Sequence, residues 1–365
     1  MDRRPFPAFK YSRSLNSVSI SFRNVASGFV SIFLVRVPHL NTFLILLSCL
    51  LAFASSIVAQ VVDDAPIKVN TVLVNIPVIV SDKDGRNISG LKKDNFSIFQ
   101  DGKRQTIEFF ADSDSPMKVA IAIDTSASTI PVLDEIKEAA LKFVSLLGPE
   151  DQGMIVTFDN DVKIRQRLTS DKKQLRKGIS GTSTVMGGAA RMNQAIDRIV
   201  TTEFAGLSGR KAVIVLTDAG EINPLTKKRL LDTLIESDTI VYPIFYYTII
   251  TKEWEPGVTF LEPIKIKENI TLDELVKIPP IDYLNSLAIV TGGRFYAAGA
   301  SNFRGAFQSI ADELKKQYTI GFYPDSAENG SNNIKIGIDR KDAVVRSKRT
   351  IRLKPRNTDV PKSSN

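Results

Sequence analysis

Val119-Ala-Ile-Ala-Ile-Asp-Thr-Ser-Ala-Ser128 is the stretch on which the fold turns. An apolar run without polar alternation leads straight into a carboxylate and two hydroxyls spaced two residues apart. A run this short, with no wet face, suits a strand covered on both sides. The pattern that follows is helical. Leu133, Ile136, Ala140, Phe143 and Leu147 form one stripe, with Pro131 near its start and Gly148-Pro149 to stop it. Further apolar runs occur at Gly153 to Phe158, Ala212 to Leu216 and Ile240 to Phe245. Two more helical patterns carry Met192, Ile196 and Ile199, and Phe303, Phe307, Ile310 and Leu314. Buried strands separated by helices predict an α/β domain built on a doubly wound, mostly parallel sheet.

On both sides of this region the pattern changes to β. Val72, Val74, Ile76, Val78 and Val80 alternate with their neighbours, as in a half-buried strand, and Asp82-Lys-Asp-Gly85 closes it as a turn. Phe96 to Phe99, the dipeptide Asp101-Gly102 and Thr106 to Phe110 read as a hairpin, because Asp-Gly supplies the positive φ angles of a tight turn. After Lys316, strands are expected at Tyr318 to Tyr323, Ile334 to Ile338 and Ala343 to Arg346, with Asn329-Gly330 turning between the first two. Domain termini often lie close together, so the N- and C-terminal β segments are expected to pack together or share a sheet. The organisation that follows is a leader at 1–60, a small β module at 66–113, the α/β domain at 117–316 with an insertion at 249–280, a C-terminal β segment at 317–356 and a tail at 357–365.

The formal charge of +8 on 365 residues suggests nucleic acid until it is located. Six of the 48 basic residues but only Asp2 among the acidic ones precede position 41, so the remainder is close to neutral and no nucleic-acid partner is expected. The same leader holds a basic flank, the apolar run Thr42 to Ala54 and the small residues Ser55, Ser56 and Ala59. That is the layout of a secretory signal cleaved after Ala59, or of a signal anchor over Asn41 to Val62. Either way the chain is expected to be exported to the periplasm, the cell exterior or the envelope, touching membrane only through an uncleaved leader. Its one cysteine, Cys49, and its one histidine, His39, also lie in the leader. The rest of the chain therefore has no thiol nucleophile, Ser-His triad, imidazole or thiolate zinc site, or disulfide framework. What remains is oxygen chemistry, the kind that hard cations prefer.

In an open α/β sheet, ligands bind outside the carboxyl ends of the strands. Asp124, Ser126 and Ser128 follow one apolar strand, and Thr217-Asp218-Ala219-Gly220 follows another, so both segments are expected at one crevice. Two carboxylates and two hydroxyls suit Mg²⁺, with Ca²⁺ or Mn²⁺ less favoured, and leave the ion electrophilic enough to attract an external anion. Other acidic turns are weaker. Asp82-Lys-Asp-Gly85 begins like a calcium loop but lacks the later acidic ligand, and Asp159-Asn-Asp161 reads as a turn between two strands. The basic cluster of Arg340, Lys341, Arg346, Lys348, Arg349, Arg352, Lys354 and Arg356 reads as a solvated strand face. Ser126 has no nearby base to make it a nucleophile.

With these residues in place, the sequence resembles the von Willebrand factor type A domain. The metal-ion-dependent adhesion site of that family has the pattern Asp-x-Ser-x-Ser, a distant Thr and a later Asp. Asp124, Ser126, Ser128 and Asp218 match it directly. Val78 to Gly85, Gly90 to Phe99, Asp101-Gly-Lys and Gln317 to Pro324 further resemble the flanking segments of the bacterial, acidobacterial-type relatives. The resemblance implies an exported protein with a central ligand-binding domain, and the function expected here is an adhesion or protein-interaction module that binds an acidic partner group through Mg²⁺ without turnover. The family's Gly-Gly-Thr reads Gly187-Gly188-Ala189-Ala190 here, so one hydroxyl is missing, and Thr182 or Thr184 of the preceding loop is a substitute at a spacing that does not match the family's. With water in that place, Mg²⁺ is expected to bind at about millimolar concentration, roughly 4 kcal/mol. The alternative is a structural envelope protein whose degenerate site is silent. Ligand specificity is expected in the insertion, which leaves the same sheet edge and carries Trp254 and Phe260.

Overall fold

The computed structural model describes residues 73–112, 115–186, 190–220, 224–246, 259–260, 277–299, 302–324 and 331–352. The leader, Gly187 to Ala189, Trp254 with most of the insertion, and everything after Arg352 lie outside the described residues. Among the described residues no helix is long and apolar enough to cross a membrane.

The chain enters through β1 (Val74–Asp82), β2 (Phe96–Gln100), β3 (Lys103–Gln105) and β4 (Phe109–Ala111). Asp101 and Gly102 both take positive φ, 48° and 82°, and fold β2 onto β3. The sequence expectation put Phe109 and Phe110 on that returning strand. They instead cross to a different sheet as β4, because the hairpin ends at Gln105. Asp82 turns the chain by accepting the N–H groups of Asp84 and Arg86 at 3.0 and 2.9 Å, and its carboxylate and that of Asp84 both pair with Arg86. This settles Asp82-Lys-Asp-Gly85 as a turn.

The central sheet begins at β5 (Met117–Asp124), continues through β6 (Gln152–Phe158), β7 (Val162–Thr169), β8 (Arg210–Thr217), β9 (Thr239–Tyr246) and β10 (Thr259–Phe260), and ends at β11 (Tyr296–Ala298). In space the order is β10-β11-β9-β8-β5-β6-β7. The five inner strands run parallel, and β7 and β10 close the edges antiparallel. The helices are α1 (Leu133–Leu146), α2 (Lys172–Ser180), α3 (Met192–Arg198), α4 (Pro224–Glu236), α5 (Pro280–Thr291) and α6 (Phe303–Leu314). Val119, Ile121 and Ile123 of β5 face a core shared with α1, α2 and α6, where the Phe143 and Phe307 rings lie 5.6 Å apart. Ala120 and Ala122 face the opposite core, shared with α3, α4 and α5. The sheet is doubly wound, as its two-sided apolar strands require.

The chain ends in β12 (Tyr318–Phe322), β13 (Ser331–Ile338), β14 (Ala343–Ser347) and β15 (Thr350–Arg352). These interleave with the first strands in two four-stranded sheets, β14-β1-β12-β4 and β15-β13-β2-β3. Ile76, Val78, Ile98, Tyr318, Ile320 and Ile336 fill the core between them. The sequence pattern made β1 half-buried, whereas residues 76–80 are buried on both faces. Ile79 points away from the sandwich core and pairs across strands with Arg346, whose guanidinium reaches Glu313 of α6. The second face of β1 therefore rests on the α/β domain.

This junction corrects the solvated reading for part of the basic cluster, whose Arg340, Lys341 and Arg349 are exposed while Lys354 and Arg356 lie outside the described residues. Lys348 is buried, Arg346 is half-buried, and Arg352 pairs with Asp232 of α4 at 2.5 Å. Lys348 donates to the carbonyls of Ile235 and Ser237 at 2.6 and 2.5 Å, a cationic cap on the C-terminal end of α4. Gly292, at φ 80°, ends α5 where an added Cβ would stand 3.0 Å from the Ser347 and Lys348 backbone. Burial pushes the Lys348 ammonium down to about 8, with Asp238 and Glu236 opposing the change. Below that value the folded chain holds a charged, buried ammonium. Between about 8 and the ordinary 10.5 the unfolded chain binds more protons, so this group's contribution to stability rises with pH. Urea unfolding of the native chain and Lys348→Met is therefore expected to shift in favour of the native chain by about 2 to 3 kcal/mol from pH 7.5 to 10.5.

Candidate functional site

β5 has β6 on one side and β8 on the other, so the strand order reverses at β5 and a crevice opens at its carboxyl end. Asp124 is the last residue of β5, and Asp218 comes directly after β8. The sequence expectation that the two segments converge matches this geometry. Asp124 is wholly buried. Its Oδ1 accepts the Ser126 N–H at 2.9 Å and the Ser126 hydroxyl at 2.6 Å, and the Ser126 and Ser128 Oγ atoms are 3.0 Å apart. Its Oδ2 accepts the Thr217 hydroxyl at 3.2 Å. Thr217 Oγ1 also accepts the Ala219 N–H at 3.1 Å, which holds Ala219 at φ 56°. A left-handed non-glycine residue costs about 1 to 2 kcal/mol, and this turn is how the chain leaves β8 just past Asp218.

Burial pushes the Asp124 carboxyl up to about 6, and the nearby charge of Asp218 adds to the rise against the hydrogen bonds from Ser126 and Thr217. A desolvated carboxylate facing a second carboxylate is the electrostatic condition that a cation relieves. The donor set fits a hard divalent ion. The Ser126 hydroxyl stands 2.6 Å from Asp124 Oδ1 and 3.0 Å from the Ser128 hydroxyl, and Asp218 adds a second charge nearby. Among the described residues there is no cluster of three or more His, Cys, Asp or Glu side chains, so a metal there depends on the hydroxyls.

Of the two substitute threonines, Thr182 is committed elsewhere, its hydroxyl donating to the Gly178 carbonyl at the end of α2 at 3.1 Å. Thr184 lies beside the site, because the next residue, Val185, donates its N–H to the Thr125 carbonyl at 2.8 Å. Ala190 packs against the α3 side of the core, and Ala189 lies outside the described residues.

Four residues that organise the crevice were not assigned from sequence. The Thr125 hydroxyl donates to Asp159 Oδ2 at 3.0 Å, and the Asp159 carbonyl accepts the Arg191 N–H at 3.0 Å. Asp159 is buried, which works to raise its pKa, but the bonds from Thr125, the Asp161 N–H and Lys163 outweigh burial and lower it. The expected turn at Asp159-Asn-Asp161 is present, and its first carboxylate ties the β5 and β6 loops together. On the other side, Tyr246 at the end of β9 shares a 2.7 Å hydrogen bond with the buried Thr129 hydroxyl, next to Ser128. The Tyr246 ring packs edge-on against Phe303 of α6 at 5.8 Å. The signal available was position alone: Thr125, Asp159 and Tyr246 are at or just beyond a strand's carboxyl end, and Thr129 is in the turn after Ser128. Tyr246→Phe is expected to leave the Thr129 hydroxyl unpaired at a cost of about 1 to 2 kcal/mol in urea unfolding. With Thr129→Val added, the double variant should lose no more than the single one.

A doubly wound α/β domain with an oxygen-lined crevice at its switch point defines the class of fold. The particular fold is that of the von Willebrand factor type A domain, whose family matches residues 119–221, a segment that includes Asp124, Ser126, Ser128 and Asp218. No curated protein matches the chain in sequence. Among solved structures, the conserved hypothetical protein BatB from Bacteroides thetaiotaomicron is 18% identical, with a TM-score of 0.38 over 54% of this chain and 97% of that one. The von Willebrand factor domain of the type V pili tip protein Mfa5 from Porphyromonas gingivalis is 11% identical, with a TM-score of 0.38 over 54% and 94%. Proximal thread matrix protein 1 from the mussel byssus, solved with a zinc-occupied metal-ion-dependent adhesion site, is 16% identical, with a TM-score of 0.40 over 59% and 49%.

Proposed function

We propose that the chain is an exported adhesion or protein-interaction module that binds a carboxylate of its partner through a divalent cation, Mg²⁺ in preference to Ca²⁺ or Mn²⁺, at Asp124, Ser126, Ser128 and Asp218. The observation that carries this reading is the wholly buried Asp124, raised to about 6, with the Ser126 hydroxyl on one of its oxygens and the Ser128 hydroxyl bonded in turn to that of Ser126. When bound, the ion supplies an electrophilic position for an external anion. Asp124 and Asp218 supply charge, the serines supply neutral oxygens, and Thr217 and Thr125 hold the two loops in register. No turnover is expected, because the chain beyond the leader has no histidine or cysteine and Asp124, the carboxylate that accepts the Ser126 hydroxyl, serves on this reading as a metal ligand. Localisation in the envelope, periplasm or exterior belongs to the same reading and rests on the basic-apolar leader. So does kinship of the flanking segments with the acidobacterial-type proteins.

A second reading is a structural envelope protein with a silent site. One observation favours it: the Ser126 hydroxyl and N–H and the Thr217 hydroxyl already satisfy Asp124 without an ion. Affinity capture from native envelope extract separates the two. On the first reading, a partner is retained in Mg²⁺, released by chelator and absent with Asp124→Asn. Retention indifferent to both treatments favours the second.

A further inference from the structure

Among the described residues six large apolar side chains are exposed, and three of them stand on segments at the sheet edge that carries Asp124. Ile130 is 51% exposed in the turn directly after Ser128, between the buried Thr129 and the start of α1. Met186 is 81% exposed, next to Val185, whose N–H is bonded to the Thr125 carbonyl. Leu225 is 80% exposed at the start of α4, where Thr226 is bonded to Asn193 of α3 at 3.0 Å. Each comes from a different crossover, and none is needed for packing. Arg191, exposed at the start of α3 and bonded through its N–H to Asp159, adds a positive charge to the same edge. Its guanidinium has no ion-pair partner among the described residues.

An edge with one cationic side chain, three apolar ones and a carboxylate-hungry centre is complementary to one kind of ligand. We infer that Ile130, Met186 and Leu225 form an apolar rim that selects an acidic peptide segment whose carboxylate is flanked by apolar side chains. This inference rests on the carboxylate-binding reading and assigns specificity to residues outside the 249–280 insertion. Burying those flanks gives the selection, because exposed apolar surface gains from removal out of water while a Ser-flanked acid gains nothing comparable.

The test compares two peptides, one glutamate flanked by leucines and the same glutamate flanked by serines, titrated by calorimetry into the whole chain with Mg²⁺. The native chain should prefer the leucine-flanked peptide about tenfold, or about 1.4 kcal/mol. Ile130→Ser, Met186→Ser and Leu225→Ser together should bring the ratio to about one, while the thermal transition and the Mg²⁺ titration stay unchanged. A ratio near one in the native chain, a ratio that survives the triple substitution, or no binding of either peptide overturns the rim. If the preference depends on the three residues but persists in chelator and in Asp124→Asn, the rim stands and the metal reading falls.

Discussion

Glu313→Ala is expected to destabilise the chain by about 3 to 5 kcal/mol in equilibrium urea unfolding. Glu313 lies near the end of α6 with 4% of its side chain exposed, paired with Arg294 at 3.0 Å and with Arg346 of β14. Arg346 also donates to the Gly292 carbonyl at 3.1 Å. Burial acts to lower the Arg346 pKa, and the Glu313 carboxylate more than reverses it. The same buried charge raises the hydroxyls of Tyr242 and Tyr296, after burial itself. Truncating the glutamate takes the buried carboxylate away from two half-buried guanidinium groups, those of Arg294 and Arg346. Replacing Glu313 together with one of its two arginines, as Glu313→Leu with Arg346→Met, should recover part of the loss, because the penalty comes from charge left behind rather than from the net attraction, and Arg294 stays charged. A double variant as unstable as Glu313→Ala would show that shape, not charge, is what this junction requires.

The second large effect is at the crevice. Asp124→Asn keeps the size of the side chain and an acceptor for Ser126 but removes the charge a cation needs. Mg²⁺ binding should disappear. At the same time the ion-free protein should become more stable at neutral pH by up to about 3 kcal/mol, since a carboxyl at about 6 in the fold and 3.8 outside it is destabilised when ionised. Loss of function with gain of stability is the expected pattern for a binding site held in a strained electrostatic state. Thermal unfolding in chelator, with and without the substitution, measures it; a fall in stability instead would mean that Asp124 is there to hold the loop.

The central domain was largely legible because its strands carry no polar face and its helices carry one. β5, β6, β8 and β9 could be read from runs of Val, Ile and Ala, and α1 from a single stripe. α5 was missed for the opposite reason: Tyr283, Leu284, Asn285, Ser286, Leu287 and Ala288 are all buried, so no polar side marks the helical period. α4 was missed although Leu230, Leu231, Leu234 and Ile235 give it a stripe. Which members of the basic cluster are buried was not legible, because a solvated lysine and a buried one have the same letter. What decides for Lys348 is the open carbonyl end of α4, brought in from more than a hundred residues away. The site divides in the same way. Asp124, Ser126, Ser128 and Asp218 announce themselves by spacing after apolar strands, whereas Asp159 and Tyr246 matter through partners that only the parallel order of β6, β5, β8 and β9 brings close.

Calorimetric titration of the unmodified chain with Mg²⁺ tests the central claim most directly. The account predicts saturable binding at about millimolar concentration, roughly 4 kcal/mol, weak because Ala190 and its neighbours offer no third hydroxyl. Absence of any binding heat at tenfold higher concentration, about 10 mM, would contradict it and leave Asp124 and its serines as a closed structural turn.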